Sequence, residues 1–177
     1  LTETTITQGI SSSSSIINGN NTITFKELPD GTYSGKTISV QDSAGNVGTL
    51  TLSTFEIDTA NPTFSQINPQ SNSIVTNSNI TYKLSEDIAS GSIVYTETSG
   101  SSDSSSPHTV TLSSNQRQSD TSKSISNPVS LVNGVTYSIT LSGTDAAGNS
   151  ASQTITSVTV NSSASTVFSN VSPSSNS

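Results

Sequence analysis

The side chains with the clearest chemical potential in this 177-residue chain are carboxylates at predicted turns. Asp42 and Asp145 each open a copy of the loop Asp-x-Ala-Gly-Asn. Glu86 and Asp87 follow a run of alternating residues, and Asp58 comes shortly before an Asn-Pro pair. Ca²⁺ binds six to eight oxygen atoms, mainly from carboxylates, backbone carbonyls and water. These five residues are therefore candidate Ca²⁺ ligands, and Ca²⁺ is the one cofactor that the sequence suggests.

The two Asp-x-Ala-Gly-Asn loops also have an interpretation without metal. An Asp side chain accepts hydrogen bonds from backbone N–H groups within a turn, and Gly adopts positive φ without a steric cost. On this interpretation Asp42 and Asp145 build their hairpin turns, with Gly45 and Gly148 supplying the positive φ. The residues alone leave both interpretations open.

Catalytic chemistry has little support in the sequence. His108 is the only His, and it follows Pro107 beside the Ser-rich run 99–106, where we expect a solvated side chain. A Ser-His-Asp triad needs a base that is held in place and an acid that orients it. No Gly-rich phosphate loop and no His-rich metal spacing occurs. The sequence therefore predicts that this chain is not an enzyme.

The elements that position these side chains repeat along the chain. The Asp-x-Ala-Gly-Asn loop returns after 103 residues (145 − 42), and the segment 64–69, Phe-Ser-Gln-Ile-Asn-Pro, returns as Phe-Ser-Asn-Val-Ser-Pro at 168–173. A fixed period of about a hundred residues indicates small domains in tandem.

Apolar and polar residues alternate along most of the chain, which is typical of strands with one buried face. In the first copy, residues 32–40, with a bulge at Gly35, and residues 50–57 predict a hairpin around the Asp42 loop. The second copy predicts strands near residues 74–75, 80–84, 93–96, 108–112, 124–129, 135–141 and 155–160. Seven or so short strands with regular turns predict an all-β fold, a two-sheet Greek-key sandwich.

The period also predicts domain boundaries. Residues 1–58 form the C-terminal part of one module or a short module, 59–161 form a complete module, and 162–177 form a linker and the start of a further one. We therefore expect a segment of a longer protein.

In a sandwich of this topology, three segments that carry carboxylates meet at the N-terminal end of the complete module. Asp145 lies between the last two strands, Glu86 and Asp87 follow the second strand, and the linker with Asp58 enters there. Like charges this close repel one another without a cation. Ca²⁺ bound there would stiffen the joint between modules.

The composition excludes several classes of function. The chain has five Lys and Arg against twelve Asp and Glu, so we expect no binding to nucleic acid or to anionic membranes, which need cationic patches. It has no Cys, which excludes disulfides and thiolate metal sites. No apolar run is long enough for membrane insertion.

Several motifs together resemble a known family. They are the segments 28–33 (Leu-Pro-Asp-Gly-Thr-Tyr), 42–46, 55–62 (Phe-Glu-Ile-Asp-Thr-Ala-Asn-Pro), 82–86 and 131–137. In order and spacing they resemble the bacterial immunoglobulin-like repeats of large surface adhesins. The resemblance implies tandem immunoglobulin-like Greek-key β-sandwiches that are extracellular and non-enzymatic, with linker Asp residues that hold Ca²⁺. The chain departs from this pattern at the second junction, where Ser162 replaces Asp58 and Thr166 replaces Pro62.

The leading hypothesis is a rod-like stalk segment of a large bacterial surface protein, located at the cell surface and contacting neighbouring repeats of the same chain. One alternative is a subunit of a self-assembling filament or sheath, in which an open sheet edge accepts a strand from another copy. Another is a module that binds carbohydrate or a host protein, through loops such as residues 99–107.

Overall fold

A computed structural model describes residues 4–5, 28–41 and 44–162 of the chain. Regular structure in these ranges is β-strand, apart from one short 3₁₀ helix, so the prediction of an all-β fold is confirmed. The chain divides into two compact units, residues 1–60 and 61–177. The predicted boundary after residue 58 falls two residues before this division. Asp42 and most of the predicted third segment, residues 163–177, lie outside the described residues.

The described part of the first unit contains two small sheets. Its described strands are β1 (Thr4–Thr5), β2 (Gly31–Tyr33), β3 (Thr37–Gln41), β4 (Val47–Thr51) and β5 (Phe55–Ile57). One sheet has the order β1-β3-β4, and the other pairs β2 with β5. The predicted hairpin is present, since β3 and β4 are antiparallel and Gln41 pairs with Val47 beside the loop.

The prediction of one continuous strand over residues 32–40 is wrong. Gly35 has a φ of 63° and separates β2 from β3, and these two strands pair in different sheets. A residue with positive φ does not continue an extended strand, so Gly35 redirects the chain and does not merely bulge it. The alternation of apolar and polar residues also predicts a buried Leu50, but Leu50 is 62% exposed. Its partner across the hairpin, Ile38, is buried.

Within residues 61–162, the second unit contains eight strands in two sheets. The strands are β6 (Phe64–Asn68), β7 (Ile74–Val75), β8 (Ile80–Leu84), β9 (Ser90–Gly100), β10 (His108–Thr111), β11 (Lys123–Ile125), β12 (Val135–Thr144) and β13 (Ser150–Val160). A 3₁₀ helix, Ser114–Arg117, lies between β10 and β11. The five-stranded sheet has the order β10-β9-β12-β13-β7, and the three-stranded sheet has the order β11-β8-β6.

The core of the second unit consists of apolar side chains from both of its sheets. Burial alternates without exception along β12, and Ile80, Tyr82 and Leu84 of β8 are also buried. Burying one face of each sheet against the other removes apolar area from water, which is the main favourable term in folding. The arrangement is consistent with a β-sandwich.

Each buried Tyr hydroxyl in this core has a hydrogen-bond partner. Tyr82 donates to the Gln116 carbonyl oxygen at 2.7 Å, and Tyr95 donates to the Ser78 carbonyl oxygen at 2.8 Å. Burial raises the pKa of Tyr82 to about 12 and also raises the pKa of Tyr95. Both rings therefore serve in packing the core of the second unit.

Candidate metal centre

Asp145 occupies the loop between β12 and β13 and is itself almost fully buried, with 5% of its surface exposed. Its Oδ1 accepts hydrogen bonds from the backbone N of Gly148 at 2.7 Å and of Asn149 at 2.9 Å, and its Oδ2 accepts one from Asn149 Nδ2 at 2.9 Å. Gly148 has a φ of 101°, as a tight hairpin turn requires. The interpretation of Asp145 as a turn former is therefore confirmed, and a metal role has to be compatible with it.

These hydrogen bonds also hold Asp145 in its ionised form. Burial by itself raises the pKa of the carboxyl, but the bonds from Asn149 and Gly148 outweigh it, and the pKa lies below its ordinary value. A carboxylate that stays charged while it is buried is a ready ligand for a cation.

Glu86 brings a second carboxylate to Asp145. Glu86 lies in the loop after β8, and the nearest ligand oxygen atoms of Glu86 and Asp145 lie within 4.8 Å of each other. Ca²⁺ binds oxygen at 2.3–2.6 Å, so two oxygens on opposite sides of one ion are separated by roughly 5 Å. The two side chains therefore fit a shared Ca²⁺ ion, and the fold brings together this predicted pair.

Asp87 has a different set of contacts. Its Oδ1 accepts hydrogen bonds from the backbone N of Ser119 at 2.7 Å and from Ser119 Oγ at 2.8 Å. These two bonds lower the pKa of Asp87. Asp87 ties the loop after β8 to the segment after the 3₁₀ helix, and the fold does not group it with Glu86 and Asp145.

Asp58, the remaining candidate ligand within the described residues, lies near the end of the first unit. Its Oδ1 accepts a hydrogen bond from the backbone N of Ala60 at 3.0 Å. The chain then enters the second unit through Pro62, which is buried, and Thr63, whose N donates to Ser85 Oγ at 2.9 Å. The linker is thus anchored next to Glu86.

The structure corrects the sequence alignment at the second junction. Thr59 donates its N and its Oγ1 to Asp30 Oδ1, and Ser162 donates its N and its Oγ to Asn133 Oδ1. The two donors, Thr59 and Ser162, are 103 residues apart, and so are the two acceptors, Asp30 and Asn133. Ser162 therefore corresponds to Thr59. The residue at the position of Asp58 is therefore Asn161, whose side chain offers a neutral amide oxygen in place of a carboxylate.

Sequence reasoning missed a buried polar network around His108. The side chain of His108 is only 14% exposed, and its Nε2 lies 2.6 Å from Asp103 Oδ2. The prediction that the His108 side chain is solvated is therefore wrong. The same Oδ2 accepts a hydrogen bond from the Tyr137 hydroxyl at 2.7 Å, and Asp103 Oδ1 accepts one from the Ser105 N at 3.0 Å. Asp103 is 6% exposed. The network fixes the Ser-rich loop against β12, and a long-range contact of this kind leaves no local pattern in the sequence.

We expect this network to make the second unit sensitive to acid. The hydrogen bonds from Tyr137 and His108 lower the pKa of Asp103 below its ordinary value of 3.8. The carboxylate therefore stabilises the folded state above that value, and the stabilisation is lost as the pH falls through the lower pKa of the folded state. Urea unfolding between pH 6 and pH 2 should show that the stability difference between wild type and Asp103→Asn shrinks below about pH 4. A difference that stays constant over this range would contradict the role of Asp103.

No protein-family model matches the chain, and a search of curated proteins returned no match. Within the described ranges, no helix has the length and apolar character needed to cross a bilayer.

Proposed function

We propose that this chain is a non-enzymatic structural and adhesion repeat, a rod-like stalk segment of a large extracellular bacterial surface protein. The observation that carries the proposal is a hairpin whose pairing register recurs. Gln41 pairs with Val47 in the first unit, and Thr144 pairs with Ser150 in the second, each residue 103 positions further on. Further from the loop, Ile38 pairs with Leu50 and Leu141 with Gln153 at the same offset. A repeated sequence thus folds with a repeated register, as tandem modules require.

The finer assignment, an immunoglobulin-like Greek-key sandwich, is supported by the strand order of the second unit. The chain leaves the three-stranded sheet after β6, adds β7 to the five-stranded sheet and returns for β8. It crosses again to β9 and β10, back to β11, and finally to the hairpin β12–β13. Seven or more strands that alternate between two sheets in this way are typical of immunoglobulin-like sandwiches.

We further propose that Glu86 and Asp145 bind Ca²⁺ where the linker enters the second unit, with the linker residue Asp58 as a third ligand. Chain length supports this. Asp58 is five residues before Thr63, which is bonded to Ser85 beside Glu86, and five extended residues span at most roughly 17 Å. A cation shared by the linker and two loops would remove the repulsion between the carboxylates and restrict bending at the joint.

The mechanism is mechanical. Each module is a rigid unit with its own hydrogen-bonded sheets, and the reach of the whole depends on how little its joints bend. Small-angle X-ray scattering of the 177-residue chain in Ca²⁺ tests this, and we expect the profile of an elongated particle. A compact, nearly spherical particle would contradict the stalk.

A second candidate, the subunit of a self-assembling filament, is favoured by one observation. Among the described strands, β4 lies at the edge of its sheet, and its residues are exposed, including Val47 at 63% and Leu50 at 62%. An exposed apolar edge strand is a template for a strand from another copy. Sedimentation velocity at rising protein concentration separates the candidates, because a filament subunit associates and a stalk segment stays monomeric.

A further inference from the structure

The outer edge of β9 in the second unit is covered by two different segments of the chain. Strand β10 begins at His108 and pairs with β9 from Ser92 to Tyr95. Strand β9 itself continues to Gly100, so its last five residues extend beyond β10. An open strand edge presents backbone N–H and C=O groups that pair with a strand from another chain. The segment just before β10, residues 101–107, folds back along this edge, and we call it the strap.

The strap closes the edge with a side chain in place of a backbone carbonyl. The register of β9 and β10, continued two residues past Tyr95, places Ser106 opposite Glu97. The Glu97 N donates a hydrogen bond to Ser106 Oγ at 2.8 Å. Glu97 Oε2 in turn accepts a hydrogen bond from the Asp103 N at 2.8 Å. The backbone N–H that an added strand would use at Glu97 is therefore already bonded to the strap.

One residue of the strap is turned inward and holds the strap in place. Asp103 is 6% exposed, whereas the other residues of the range 101–105 are exposed. Asp103 Oδ2 accepts a hydrogen bond from the Tyr137 hydroxyl at 2.7 Å and lies 2.6 Å from His108 Nε2. Among the described residues, the titratable groups that contact Asp103 are thus Glu97 on β9, His108 on β10 and Tyr137 on β12.

From this geometry we propose that the strap is an acid-released cover of a strand-pairing edge: Asp103 is its lock, and protonation of Asp103 frees the β9 edge while the sandwich stays folded. Charge-assisted hydrogen bonds are roughly twice as strong as neutral ones, and a protonated carboxyl loses this advantage toward Tyr137 and His108. A surface segment also opens at a lower free energy than the core strands beside it, so the strap opens first.

The direction of the response to pH follows from the contacts of Asp103. The hydrogen bonds from Tyr137 and His108 lower the pKa of Asp103 below its ordinary value of 3.8. The lock is therefore closed above that value, and it opens as the pH falls through the lower pKa of the folded state.

The test is hydrogen exchange of the backbone amides in the full chain at about pH 6 and about pH 2, corrected for the intrinsic rate at each pH. In wild type, we expect the protection of the amide at position 97 to fall about tenfold in acid, and the amides of Ile93 and Tyr95, opposite β10, to lose much less. Asp103→Asn should show the low protection at position 97 at both pH values.

Two further variants separate the lock from the bond that covers the edge. Ser106→Ala removes the acceptor of the Glu97 N and leaves Asp103 in place, so position 97 should lose its protection already at pH 6. Glu97→Gln keeps a side-chain oxygen that accepts the hydrogen bond from the Asp103 N, and it should respond to acid as wild type does.

Three results would overturn the proposal. The first is wild-type protection of position 97 in Asp103→Asn or in Ser106→Ala at pH 6. The second is an equal loss of protection at positions 93, 95 and 97, because the whole unit and not the strap would then open. The third is the absence of an acid response in Glu97→Gln, which would make Glu97 the titrating group.

Discussion

Glu86→Gln is expected to abolish most of the rise in melting temperature that Ca²⁺ gives the second unit. Extracellular Ca²⁺ modules bind with a Kd of about 10⁻⁴–10⁻³ M. At 10 mM Ca²⁺, about a hundred times a Kd of 10⁻⁴ M, the ion stabilises the folded state by about 2.7 kcal/mol. For a domain of this size that corresponds to a shift of roughly 10–20 °C. Removing one of two close carboxylates should reduce the shift to a small fraction of this value.

The chain offers a matched control for this variant in the next residue. Asp87→Asn removes the same charge from the same loop, but Asp87 bonds to Ser119 and is not grouped with Asp145. Thermal melts of wild type and both variants, with 10 mM Ca²⁺ or with chelator, should show a full shift in Asp87→Asn. An equal shift in Glu86→Gln would mean that the ion binds elsewhere.

Gly100→Ala is expected to destabilise the second unit strongly, although Gly100 itself is exposed. Gly100 has a φ of 97°, and an added Cβ would overlap the carbonyl oxygen of Gly134. That oxygen accepts a hydrogen bond from the Ser101 N at 3.1 Å, so the backbone has little freedom to move away. We expect the free energy of unfolding to fall by more than about 4 kcal/mol, a value reserved for severe local conflicts.

Gly148→Ala separates the clash from the cost of the backbone conformation. Gly148 has a φ of 101°, and a Cβ there meets no atom within 4 Å. The free energy of unfolding of this variant should therefore fall only by the cost of positive φ for a non-glycine residue, about 1–2 kcal/mol. Urea unfolding followed by the fluorescence of the buried Tyr82, Tyr95 and Tyr137 measures both changes. Similar losses in the two variants would contradict the close approach of β9 to the turn before β12.

The part of the fold that the sequence predicts well is the part in which local pattern and tertiary packing agree. Residues 135–141 alternate strictly, and the structure has β12 there with alternating burial. The spacing from Ile155 to Val158 breaks the alternation because a bulge with positive φ at Ser157 shifts the register, and both residues still point into the core. The strand β6 was not predicted, although its segment was recognised as a repeat.

The candidate site divides in the same way. Glu86 and Asp145 were predicted to converge because topology alone places their loops at one end of a sandwich. Topology does not determine where a side chain points, so it did not distinguish Glu86 from Asp87, whose carboxylate bonds to Ser119. Asp103 was not predicted at all, since its partners His108 and Tyr137 are set by loop closure and by packing between strands.

The most direct test of a Ca²⁺-stiffened joint is the spread of distances between the two units. The chain has no Cys, so Thr51→Cys and Ser126→Cys place one spin label on an exposed residue of each unit. Double electron–electron resonance should give a broad distance distribution in chelator and a narrow one in Ca²⁺, and Glu86→Gln should stay broad in both. A wild-type distribution of the same width with and without Ca²⁺ would contradict the account.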